Sequence, residues 1–210
     1  MKPSLQILML AFLTAFECSH PTQMAGGGDE VTTGRLYYQN GSFAAHCQVI
    51  AVPSNGVPGS GSLSQFETVT DSLGQYSFNS VPEDTYNIYG KKDTLASYLE
   101  AVELGNFKEK YVVPNDTLKP IGGISGIVRL SASPDSRIVL ILMIGGTMIS
   151  WPDDGAGHFS ITDLAEGSYQ IRFLATDSRY QVLDTSFSVK SGQNTDVGTI
   201  LLTIPMTQIQ

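Results

Sequence analysis

The stretch Asp71-Ser72-Leu73-Gly74-Gln75-Tyr76-Ser77-Phe78 returns 83 positions later as Asp154-Gly155-Ala156-Gly157-His158-Phe159-Ser160-Ile161. Without a gap, Val81-Pro82-Glu83-Asp84-Thr85-Tyr86-Asn87-Ile88 then matches Leu164-Ala165-Glu166-Gly167-Ser168-Tyr169-Gln170-Ile171. The leading Asp suits a turn, because its carboxylate can accept backbone N–H groups further along. The Gly three residues on supplies a positive φ without strain at Cβ. Tyr76 and Phe78, like Phe159 and Ile161, are two apart and face one side of a strand. Val81 and Leu164 close that strand. A second turn follows, in which Gly167 is expected in the left-handed region and Asp84 in its place in the first copy. Tyr86/Ile88 and Tyr169/Ile171 begin the returning strand, so each copy contains a hairpin.

Working outward, each copy opens on a matching strand: Thr33-Gly34-Arg35-Leu36-Tyr37 against Ser125-Gly126-Ile127-Val128-Arg129, here 92 positions apart. Asn40-Gly41 turns the first copy after that strand. In His46-Cys47-Gln48-Val49-Ile50-Ala51-Val52, read as a strand, Cys47, Val49 and Ala51 share a face, and Cys47 serves as a small core hydrophobe. Pro53 to Ser64 is a Gly/Pro/Ser loop, expected to be mobile. Ile138 to Ile144 is an apolar run suited to a central strand. Thr185 to Val189 alternates, and Lys190 to Asn194 turns into a last strand, Val197 to Thr203. Two prolines stiffen the stretch from Val113 to Pro120, which reads as a connector. No long segment carries helical spacing of apolar residues. The expectation is an all-β chain of two tandem Greek-key-type β-sandwiches of about seven strands each, spanning 31–113 and 121–203, with 114–120 as linker and 204–210 as tail.

The 210 residues hold 12 Lys+Arg and 20 Asp+Glu, a net charge of −8, so a phosphate-tracking surface is excluded and no nucleic-acid partner is expected. Charged residues make up only 15%, against roughly 25% in ordinary soluble domains. Lys2, an apolar stretch from Leu5 to Phe16, and Cys18 match a secretion signal, the apolar part being too short to span a bilayer. Residues 1–18 are therefore read as a signal peptide ending in a lipobox-like Ala15-Phe16-Glu17-Cys18, and Cys18 as the lipidation site. Glu17 stands where that pattern has a small residue, and the alternative is cleavage near Ala25 to give a secreted protein. Residues 19–30, with Gly26-Gly27-Gly28, read as a flexible tether.

The order of the Gly34 strand, Asp71-x-x-Gly74-x-Tyr76-x-Phe78 and Val81-Pro82-x-x-x-Tyr86-x-Ile88 resembles the carboxypeptidase regulatory-like domain, a transthyretin-like sandwich. The second copy is similar through Gly126, Asp154, Gly157, Phe159, Leu164, Gly167 and Tyr169. The resemblance implies an extracytoplasmic, non-catalytic accessory module. By analogy with carbohydrate-binding-like folds it also raises glycan binding.

Few residues carry chemistry. No Gly-x-Ser-x-Gly elbow occurs, and His46 and Cys47, adjacent on a strand, point apart. Asp153-Asp154 lacks the oxygen-ligand spacing of an EF-hand, and no Cys/His set has zinc spacing. The expected function is a non-catalytic envelope module without cofactor or metal, exported to the cell envelope as an outer-membrane or surface lipoprotein. Its partners would be an envelope protein or a glycan, and the membrane through Cys18. The residues proposed for glycan contact are Trp151, the sole tryptophan, and the pair Tyr37-Tyr38; Tyr98 is a further aromatic after the first hairpin.

Overall fold

The computed structural model describes residues 31–60, 63–79, 81–105 and 112–205, and every regular element among them is a β-strand. The first seven strands are β1 (Val31–Tyr38), β2 (Gln48–Pro53), β3 (Phe66–Val69), β4 (Gln75–Asn79), β5 (Asp84–Lys92), β6 (Leu95–Leu104) and β7 (Asp116–Pro120). They hydrogen-bond in the order β3-β2-β5-β6-β7-β1-β4. This ribbon folds over on itself. Val49, Ala51, Tyr86, Ile88, Val102 and Leu104 from β2, β5 and β6 meet Leu36, Tyr76, Phe78 and Leu118 from β1, β4 and β7 in one buried cluster.

The remaining strands are β8 (Gly122–Leu130), β9 (Val139–Ile144), β10 (Ile149–Ser150), β11 (His158–Leu164), β12 (Gly167–Ala175), β13 (Leu183–Val189) and β14 (Asn194–Leu202). They form two sheets, β10-β9-β12-β13 and β11-β8-β14. A second core lies between the sheets, with Ile141, Ile171 and Phe173 facing Ile124, Val128, Phe159 and Leu202. Alternation explains the layering, since β11 buries Phe159 and Ile161 and exposes His158, Ser160 and Thr162. β9, the apolar run, lies inside its sheet between β10 and β12.

In both copies of the turn the Asp carboxylate caps the backbone. Asp71 Oδ1 accepts the N–H groups of Leu73 and Gln75, each at 2.8 Å. Asp154 Oδ1 accepts those of Gly157 at 2.9 Å and His158 at 3.1 Å. Gly74 has φ +68° and Gly157 φ +92°. Their carbonyls accept the N–H of Leu36 at 2.9 Å and of Val128 at 2.8 Å, which ties each turn to its opening strand. A Cβ on either glycine would collide with the carbonyl of that same partner. The ring of Tyr76 lies on Gly34 and that of Phe159 on Gly126, cross-strand partners in both cores. Tyr86 Oη donates to the Pro82 carbonyl at 3.1 Å, and Tyr169 Oη to the Ala165 carbonyl at 2.9 Å.

Three expectations change. Residues 116–120, read as part of a linker, form β7, which pairs with β1 and β6 and buries Leu118 in the first core. Neither Gly167 nor Asp84 is left-handed; at Gly167 the constraint is spatial, because a Cβ there would run into the Tyr98 ring. His46 occupies a turn at φ +56° rather than a strand, and β2 begins at Gln48. The loop after Pro53 is anchored at Gly56, whose carbonyl accepts the N–H of Gly145 from the second half at 2.8 Å.

Candidate interaction surfaces

Tyr37 and Tyr38 point to opposite sides of β1, as alternation requires. Tyr38 packs against the first core, whereas Tyr37 faces outward. The Tyr37 ring centroid lies 5.7 Å from that of Phe43, brought opposite by the return of the chain after Asn40-Gly41. The Arg35 guanidinium sits 5.3 Å above the Phe43 ring, and its Nη1 lies 3.5 Å from Tyr37 Oη. The outward group is therefore Arg35, Tyr37 and Phe43, with Phe43 exposed and Arg35 in a cation–π contact. Alternation from Tyr37 pointed to Arg35; Phe43 had no signal beyond its distance from the Asn-Gly turn.

Trp151 lies on the surface of the other half. It follows β10, 46% exposed, with Ile149 two positions earlier 47% exposed and Pro152 buried. The structure thus separates the three aromatics proposed for glycan contact into an inward residue and two surfaces on different cores. Cys18, the signal segment 1–18 and the tether 19–30 lie outside the described residues. Asp154 is committed to its turn, with Oδ2 lying 2.7 Å from His158 Nδ1 and Oδ1 bonded to the backbone. That contact holds its carboxyl below the usual carboxylate range. Cys47 is wholly buried beside the Ala44 carbonyl, and burial pushes its thiol up.

The most extensive arrangement of side chains is one that strand patterning alone did not bring out. Tyr89 on β5, Tyr98 on β6 and Tyr169 on β12 form a three-ring stack that carries two rings from strands of the first half onto the second core. Both centroid separations are 4.9 Å, with interplanar angles of 27° and 18°. Such stacked pairs contribute about 0.5–1.5 kcal/mol each beyond area burial. Burial raises all three hydroxyl pKa values, so the rings stay neutral.

Beside the stack, Asn87 Nδ2 and Tyr89 Oη donate to the Gly145 carbonyl at 3.0 and 2.8 Å. With its N–H bonded to Gly56, both backbone groups of Gly145 are satisfied from the first half. Asn87 Oδ1 in turn accepts the Ala101 N–H at 3.0 Å. Two ion pairs flank the seam, Lys91 with Asp163 and Lys119 with Glu166, each 2.8 Å. Both are largely exposed, and such pairs add about 0–1 kcal/mol. The Pro120 carbonyl accepts Gly192 N–H at 3.0 Å and Ser191 Oγ–H at 3.1 Å. Buried hydrogen bonds fix orientation here more than charge does, since leaving a buried polar group unpaired costs about 1–3 kcal/mol.

No protein-family description matches the sequence, and no curated protein matches it. Among solved structures, the chain is similar to a minor pilin of Streptococcus agalactiae, with a TM-score of 0.40 and 14% identity over 86% of this chain and 99% of the pilin. A streptococcal ancillary pilin gives a TM-score of 0.41 at 14% identity over 86% of this chain and 64% of that one. The TIE protein of Bacillus anthracis gives 0.36 at 13% identity, over 82% of this chain and 33% of that one.

Proposed function

We propose that this chain is a non-catalytic structural and interaction module of the cell envelope, in which two β-sandwich units present their outer strands and loops to a partner protein. The units would comprise residues 31–120 and 122–202, each of the carboxypeptidase regulatory-like type suggested by the repeated Asp-x-x-Gly-x-aromatic turn. The observation that carries the reading is the seam. Side chains that stack, donate and pair across it hold the two units in one orientation, as a scaffold requires. The signal segment and tether support export, with Cys18 as a lipid anchor in the outer membrane or at the surface; secretion is the alternative.

The test is photo-crosslinking in the envelope from Val69 and Leu201, which are 58% and 53% exposed on the edge strands β3 and β14. A discrete crosslinked protein from either position supports the reading, and a flat pattern from both overturns it. Loss of radiolabelled lipid on Cys18→Ser would establish the anchor separately.

A second reading is a glycan-binding module, favoured by exposed Trp151 and by the outward Arg35–Tyr37–Phe43 group. Affinity electrophoresis against envelope and plant polysaccharides tests it. Retardation abolished by Trp151→Ala, or by Phe43→Ala, would favour it over the scaffold.

A further inference from the structure

The seam is not closed throughout. Beside the tyrosine stack it contains a cavity of about 210 Å³ between the outward side of β2, β5 and β6 and the β9–β10 turn and β11–β12 corner. Ile50, Ala96, Met143 and Leu164 supply apolar walls, and Tyr89 and Tyr169, the outer members of the stack, line it as well. At its exposed rim lie Lys91 and Asp163, paired at 2.8 Å. Asp163 holds φ +63° where the pairing of β11 with β8 slips between Ile161 and Leu164. A left-handed non-glycine residue is a strained conformation, and strain of this kind gathers at ligand-holding positions.

We propose that this cavity binds a small, uncharged, single-ring aromatic molecule carrying a short hydroxyl or amide tail. Size sets the first limit. A dry apolar cavity of roughly 150 Å³ accepts benzene, whereas sites for drug-sized ligands begin near 300 Å³. The lining sets the second. Aromatic side chains and the thioethers of Met143 and Met148 favour an aromatic partner, and methionine can adjust to its outline. Charge sets the third. The rim already holds one cation and one anion in contact, so a charged head would leave one of them without its partner. A neutral tail can accept from Lys91 and donate to Asp163 while the pair stays intact.

The experiment uses the full chain labelled at its methionine methyl groups and titrated with 2-phenylethanol, followed by NMR. The Met143 and Met148 signals, assigned through Met143→Leu and Met148→Leu, are expected to move saturably at millimolar concentration or below. Ile50→Phe fills the cavity from the half-buried side of β2 and should weaken binding at least tenfold, with the melting temperature retained. Ala96→Leu fills it from β6 and serves if Ile50→Phe does not fold. No saturable shift in the parent chain, or equal shifts in the filled variants, would overturn the proposal. So would tighter binding of phenylacetate than of 2-phenylethanol.

Discussion

Replacing Gly167 by alanine tests how firmly the two cores are joined. Gly167 has no left-handed φ, so alanine fits its backbone and meets one obstacle, the Tyr98 ring. That ring is held between Tyr89 and Tyr169 and cannot swing aside without breaking the stack. Overpacking costs about 1–3 kcal/mol, and a lost aromatic pair about 0.5–1.5 kcal/mol. A total near 2–3 kcal/mol lowers Tm by about 4–12 °C for a chain of this size. In a Tyr98→Ala background the obstacle is gone. Alanine should then be neutral, or stabilising by up to about 1 kcal/mol, since glycine is the poorer strand residue. Thermal and urea melts of the parent, both single variants and the double variant give a coupling of roughly 2–4 kcal/mol. If Gly167→Ala costs the same with and without Tyr98, the contact does not constrain the glycine and the reasoning fails.

Gly74→Ala and Gly157→Ala should each lose at least about 2 kcal/mol, from left-handed strain and collision with the Leu36 or Val128 carbonyl. Gly155→Ala, whose nearest neighbour would lie 3.5 Å away, should change stability by less than about 0.5 kcal/mol in the same urea melts. Asp116 has a buried Oδ2 without a partner, as does Tyr76 at Oη, and burial raises the Asp116 pKa. Its contribution to stability is therefore fully present below the unfolded value of about 3.9 and is lost as pH rises through the folded value. Asp116→Asn should stabilise the protein at neutral pH and flatten that part of the pH profile; destabilisation at pH 7 would refute the assignment. In a Cys18→Ser chain, alkylation of Cys47 should track global unfolding, because the thiol is buried and raised in pKa. Rapid labelling of the folded protein would contradict its burial.

The turns were legible because their chemistry is local. An Asp, a Gly three positions on and an aromatic two beyond that specify a carboxylate cap, a left-handed residue and an inward ring, all within eight residues. Tyr86 and Tyr169 were legible as inward strand residues, but their bonds to the carbonyls four positions back were not, because strand periodicity says nothing about a hydroxyl. β7 was misread for a related reason. Pro114 precedes it and Pro120 ends it, and its parallel partner β1 is about eighty residues away in sequence. The seam left no local signal at all. Tyr89 and Tyr98 occupy positions that alternation assigns to the solvent side, and the ring that completes their stack, Tyr169, lies in the other core. Gly167 shows the limit clearly: its repeat position suggested a backbone requirement, and the structure gives it a steric one from Tyr98.

In both halves the first strand pairs in parallel with the last: β1 with β7 through Leu36↔Asp116 to Tyr38↔Leu118, and β8 with β14 from Asn194↔Gly123 to Leu202↔Leu130. Parallel partners run the same way, so the chain enters each half at one end and leaves it at the other. Tension applied across a half therefore pulls its terminal strands lengthwise past each other. The hydrogen bonds between them are loaded together in shear instead of opening one after another from an end. β8 and β14, paired over the longer register, should resist the greater force, and the shorter β1–β7 pairing should yield first.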